Sequence, residues 1–183
     1  MRTYRGLRDH SCTLLVLMLF ALAEIATLSN PRKVHLQSKF RLEPKCFRGN
    51  LMTIHVDRAC QASGRPCRAR CDGERKTTNN TKFSVRKING KRCIEFTVDQ
   101  STKYALKVTK RTNDVVFEKR ECNNSIGSEF LFDEVRVEGT TRLYRYKHSD
   151  TTCVGVSSDC QDTRLYLHNT TINDKRCYFR KWV

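Results

Sequence analysis

The sequence predicts an all-β domain made of three copies of a four-stranded unit, and three observations predict it. First, ten short runs rich in Val, Ile, Phe, Tyr and Thr alternate with charged residues: Leu51–Val56, Lys82–Ile88, Cys93–Val98, Tyr104–Thr109, Val115–Lys119, Phe130–Val137, Leu143–Tyr146, Cys153–Val156, Leu165–Leu167 and Cys177–Lys181. Second, no stretch of twelve residues keeps an uninterrupted apolar period of 3.6. Third, the runs recur at a nearly fixed step. Ile94-Glu95-Phe96 returns 49 residues later as Leu143-Tyr144-Arg145, Tyr104-Ala105-Leu106 as Cys153-Val154-Gly155, and Val116-Phe117 as Leu165-Tyr166. Phe83, the pair Phe130 and Phe132, and Phe179 follow one another at steps of 47 and 49. A looser first copy runs from Phe47 through Leu51–Val56 to Phe83. Three such units close on themselves, hide their strand edges and turn apolar residues inward.

Ahead of the repeats, Arg2, Arg5 and Arg8 precede an uncharged apolar run from Thr13 to Ala23 that ends in Ala21-Leu22-Ala23. A positive n-region, a short h-region and an A-x-A site form a secretory signal peptide over residues 1–23. Its eleven residues fall well short of the ~20 that a spanning helix needs. No second apolar stretch follows, so the sequence predicts a soluble, extracellular mature chain without membrane insertion. Residues 24–44 are polar and basic with Pro31 and Pro44, and read as a flexible arm before a domain over 45–183.

Cleavage removes Cys12 and leaves nine cysteines, which an exported chain forms into disulfides. Cys60, Cys67 and Cys71 lie in an insertion over 57–82 and lack the paired spacing and nearby histidine of a zinc site, so no metal or other cofactor is expected. The seven-residue spacing of Cys153 and Cys160 predicts a local bridge clamping a hairpin, with the insertion as the rival partner of Cys160. Nine is odd, so one thiol is either buried and free or bridged to another chain as a disulfide-linked dimer. Sequons at Asn79, Asn123 and Asn169 fall in polar, loop-like stretches suited to glycans.

The chain carries +16, and the mature part 32 basic against 18 acidic side chains, or +14. Such a charge draws polyanions, which outside the cell means sulfated glycosaminoglycan and anionic surfaces rather than nucleic acid. Arg58, Arg65, Arg68, Arg70, Arg75 and Lys76 make the insertion one candidate surface. Catalysis is not expected. His148-Ser149-Asp150 has the residue types of a triad, but consecutive residues on an extended chain face opposite sides, so it reads as a solvated turn.

The threefold pattern resembles a β-trefoil, and its details are similar to the fibroblast growth factors over Lys45 to Val183. The matching segments are Lys45-Cys46-Phe47-Arg48-Gly49, Ser101–Leu106, Glu129–Glu134, Cys153-Val154-Gly155-Val156 and Cys177–Trp182. That resemblance implies a secreted ligand of a cell-surface receptor acting with sulfated glycan. It implies receptor contact by Glu134 and a glycan site at Arg164, Lys175 and Arg176. The family's Tyr-Asn receptor pair is replaced by Thr141-Arg142, and Asp159 and Asp162 stand within its basic loop. Those acids offset local potential within a Debye length, so the expected glycan residues are first Arg65, Arg68 and Arg70. The alternatives are a matrix or glycan-binding trefoil without signalling, and a Kunitz-type protease inhibitor presenting Arg65 or Arg68 on a loop braced by Cys60 and Cys71.

Overall fold

Strands of four to eight residues are too short to stand alone, and here each pairs with a distant one. The computed structural model describes residues 39–74, 79–99, 101–157, 162–169 and 174–183. The expected signal peptide with Cys12, most of the expected N-terminal arm, Arg75, Lys76, Asp159 and Cys160 lie outside them. The first repeat holds β1 (Arg41–Pro44), β2 (Asn50–His55), helix α1 (Arg58–Ser63), β3 (Cys67–Glu74) and β4 (Ser84–Ile88). The second holds β5 (Lys91–Thr97), β6 (Lys103–Val108), β7 (Val115–Lys119) and β8 (Asp133–Arg136). The third holds β9 (Leu143–Ser149), β10 (Thr152–Val156), β11 (Leu165–Asn169) and β12 (Phe179–Trp182). The fold is an all-β trefoil.

Six strands close a barrel. β1 pairs β12, β12 pairs β9, β9 pairs β8, and β4 pairs β5. Two bridges complete the ring: Phe40 with Phe83 between β1 and β4, and Arg92 with Phe132 between β5 and β8. The other six form three hairpins whose tips meet in a cap. Cys67 pairs Phe117, Asp114 pairs Tyr166, and Arg164 pairs Arg70, so each hairpin joins the next around a pseudo-threefold axis.

Equivalent barrel positions Phe83, Phe132 and Phe179 keep the predicted steps of 49 and 47. The step from β5 to β9 is different. Phe132 pairs Arg92 and Phe179 pairs Tyr144, so Arg92 corresponds to Tyr144, 52 residues on, and Ile94 to Tyr146 rather than to Leu143. The longer connection between β8 and β9 adds residues that the tight β9–β10 turn then gives back.

Phe40, Phe83, Phe96, Phe117, Phe132 and Phe179 fill the core, and Phe83 stacks on Phe117 at 5.5 Å. Phe130 is not in strand, as the run Phe130–Val137 had suggested. It closes a 3-10 turn and seals a smaller cluster with Ile88, Cys93 and Cys122.

Two further expectations are corrected. The arm does not reach residue 44: β1 belongs to the barrel, with Leu42 1% exposed and Glu43 bound through both carboxylate oxygens. Within the segment 57–82, α1 and β3 belong to the first repeat's own β2–β3 hairpin rather than to an appendage. Asp57 caps α1 by accepting the Cys60 N–H at 2.8 Å, and Gly64 ends it at φ 66°.

The disulfides are Cys60–Cys67, Cys93–Cys122 and Cys153–Cys177, and Cys46 is also bridged. Cys153 therefore does not pair with Cys160. Its side chain points inward from β10, and the 3-10 turn Lys175–Cys177 brings Cys177 to a Cα separation of 6.0 Å. Gly155 permits that approach, since a Cβ there would lie 2.8 Å from the Arg176 carbonyl oxygen. Cys71 is the free thiol among the described residues and is fully buried, which places it beyond the reach of another chain.

Candidate anion-binding cap

Strand alternation decides which side chains of β3 face solvent. Cys67, Ala69 and Cys71 are buried, so Arg68 and Arg70 share the opposite face. The Cys60–Cys67 bridge ties the start of β3 to α1, so the strand leaves from a fixed point. The cap then joins β3 to β11: Arg70 bridges Arg164, and the Cys71 N–H donates to the Thr163 carbonyl at 2.6 Å. A depression of ≈ 260 Å³ opens on the pseudo-axis, lined by Arg68, Arg70, Arg164, Asp114 and Val116. Arg68, Arg70 and Arg164, members of rival segments in the sequence, thus share one surface.

The three arginines differ in their partners. Arg164 pairs with Asp162 at 2.5 Å and lies over the Tyr166 ring at 5.6 Å. Asp162 also accepts the Arg164 N–H and the Tyr166 hydroxyl, and these hydrogen bonds, the backbone one foremost, hold its carboxyl below the usual range. Asp162 therefore offsets part of the Arg164 charge, as its place in the sequence suggests. Arg68 is exposed and forms no ion pair with a described carboxylate. The Nε of Arg70 is buried without an acceptor. Asp72, an anion on the same strand, offsets part of the Arg70 charge. Burial would raise its carboxyl, but hydrogen bonds from His55 and Thr53, at 2.9 and 2.7 Å, and the Arg70 charge outweigh that and lower it.

The other site residues disperse. Arg65 is exposed in the loop bracketed by Cys60 and Cys67, outside the depression. Lys175 and Arg176 lie on the 3-10 turn before β12, and Arg176 is locked to buried Asp174 by hydrogen bonds from Nε at 2.8 and 3.0 Å. Glu134 is turned inward: it accepts the Tyr146 hydroxyl at 2.8 Å and the Lys181 ammonium at 2.9 Å, with Arg92 at 3.8 Å. Asn123 and Asn169 are exposed; Asn79 opens a 3-10 turn in which Thr81 is buried. Ser149 and Asp150 hydrogen-bond and pair with Thr152 and Lys147.

No protein-family model and no curated protein sequence matches the chain. Solved structures do. A mosquitocidal holotoxin superposes with a TM-score of 0.60 at 12% identity over 84% of this chain and 18% of its own. The designed threefold-symmetric protein ThreeFoil gives 0.56 at 13% over 79% of this chain and 98% of its own. A GlcNAcα1-4Gal-releasing endo-β-galactosidase from Clostridium perfringens gives 0.58 at 13% over 80% and 32%. The chain thus spans under a third of the two natural proteins. Identities this low establish the trefoil fold, and the resemblance to the growth factors goes no further than that fold here.

Proposed function

We propose that the chain is an exported, disulfide-bonded trefoil that binds sulfated glycans through its cap, and that it is a binding protein rather than an enzyme. The observation that carries this is the convergence of Arg68, Arg70 and Arg164 on one depression. Guanidinium groups fixed on strands pair with sulfate at a smaller entropy cost than groups on a mobile tail. The signal sequence, the bridges and the +14 of the mature chain support the same reading. The fold recurs in an endo-β-galactosidase and an exo-β-1,3-galactanase, in keeping with a glycan ligand. The receptor-ligand reading, by contrast, is left without its named contact, because Glu134 is engaged inside the domain.

Heparin-column elution tests it. Arg68→Ala/Arg70→Ala/Arg164→Ala elutes at lower salt than the parent. The pair Arg65→Ala/Lys175→Ala, exposed cations off the cap, moves less. Arg68→Gln/Arg164→Gln keeps the test sound if the half-buried Arg70 is needed for folding. Cap variants that elute with the parent while the off-cap pair elutes early would sink the proposal.

A further inference from the structure

A second basic surface lies along β12 and shares no lining residue with the cap. Arg180 pairs Glu43 of β1 on one side and Leu143 of β9 on the other. That position draws together Lys45 and Arg48 from the β1–β2 turn and Arg142 from the β8–β9 connection. Two hollows flank Arg180. One, of ≈ 410 Å³, is bounded by Glu43, Arg48 and Gly49. The other, of ≈ 580 Å³, is bounded by Thr140, Thr141, Arg142, Leu143 and Trp182.

The charge here is less compensated than at the cap. Lys45, Arg48, Arg142 and Arg180 form no ion pair among the described residues. The one acid lining the hollows, Glu43, is 3% exposed, and its oxygens accept the Gly49 N–H at 2.7 Å and the Trp182 indole N–H at 2.8 Å. Glu138, the acid of the neighbouring connection, lines neither hollow. The Arg180 guanidinium lies over the Trp182 ring at 5.6 Å. This cation–π contact restrains the guanidinium and leaves N–H donors for a planar or tetrahedral oxyanion.

We infer that this groove binds an acidic sugar, a pyranose carrying a carboxylate or a sulfate. The oxyanion sits beside Arg142 and Arg180 in the larger hollow, with Arg48 across Arg180 adding charge, and the sugar ring lies along Leu143 and the rim of Trp182 with Thr141 beside its hydroxyls. The larger hollow falls within the roughly 300–1,000 Å³ of small-molecule sites. The inference extends glycan binding to a separate site and stands whether or not the cap binds heparin.

Trp182 is the chain's one tryptophan, so its fluorescence reports this groove and not the cap. The secreted protein is titrated at constant ionic strength with galactose 6-sulfate, glucuronate, galactose and sodium sulfate. Either acidic sugar changes the emission saturably, and the stronger of the two identifies the acid group. The response persists in Arg68→Gln/Arg164→Gln. It weakens about tenfold or more in Arg48→Ala/Arg142→Ala, which removes two exposed cations without ion pairs among the described residues and leaves Arg180 in place. Silence with both acidic sugars, equal binding of galactose or of inorganic sulfate, or parent-like binding by Arg48→Ala/Arg142→Ala overturns the inference.

Discussion

Replacing Glu134 with alanine separates a structural carboxylate from a receptor contact. Its side chain is 10% exposed and links three strands: β8 through itself, β9 through the Tyr146 hydroxyl at 2.8 Å, and β12 through the Lys181 ammonium at 2.9 Å. Arg92 of β5 adds a third contact, and a fourth strand, at 3.8 Å. Alanine would strand the Tyr146 hydroxyl, whose residue is 1% exposed, and the Lys181 ammonium, 17% exposed. Breaking a fully buried pair by removing one partner costs about 3–5 kcal/mol, and the residual solvent at Lys181 reduces this to about 2–4 kcal/mol. For a domain of this size that lowers Tm by roughly 6–15 °C. Thermal unfolding followed by circular dichroism, with the disulfides intact, reads it directly. Tyr146→Phe keeps the Lys181 pair and loses a single hydrogen bond, so it falls by about 1 kcal/mol. A Glu134→Ala protein that melts within ~2 °C of the parent would refute the reasoning. That result would return Glu134 to the role the growth-factor resemblance implies.

Two further outcomes follow from the same structure. Cys71 is fully buried and burial pushes its thiol well above the usual range, so iodoacetamide leaves it unmodified in the folded protein and labels it once the chain unfolds; labelling of the native protein counts against its placement. Asp174 is held below the usual carboxylate range, chiefly by hydrogen bonding from Arg176, so it contributes stability above pH ~4 that is lost as pH falls through its folded value. Asp174→Asn therefore flattens the acid side of the stability profile, and an unchanged acid limb would contradict the pairing.

What could be read from the sequence, and what could not, divides by how far apart the deciding residues are. Val115–Lys119 carries its own alternation of buried Val115 and Phe117, and its ends are those of β7. β1 reads Arg41-Leu42-Glu43-Pro44, two charges and a closing proline around one aliphatic side chain, and it qualifies as strand only because β12 lies beside it. The burial of Glu43 depends on Trp182, 139 residues away. β3 was obscure for another reason: its inward face is Cys67, Ala69 and Cys71, small residues that give no hydrophobic alternation to a reader who assigns cysteines to loops. Local spacing also favoured Cys153 with Cys160, whereas the bridge to Cys177 is made by a turn that packs against β10 from the far end of the repeat.

The same distinction explains the two basic surfaces. Arg68, Arg70 and Arg164 were each visible as cations, but as members of competing segments, because only the closing of the cap makes Arg70 and Arg164 neighbours. Arg48, Arg142 and Arg180 come from all three repeats in order of sequence, and no one segment holds enough charge to stand out. The pseudo-threefold fold is what concentrates them. Closing a barrel sets the first strand beside the last, so β12 stands between β1 and β9, and side chains placed singly along the chain converge on both its edges. Topology therefore gathers part of the chain's excess positive charge into two surfaces of different character. The cap's Arg164 is tempered by Asp162, whereas the arginines along β12 form no ion pair among the described residues, and Arg180 lies over the Trp182 ring.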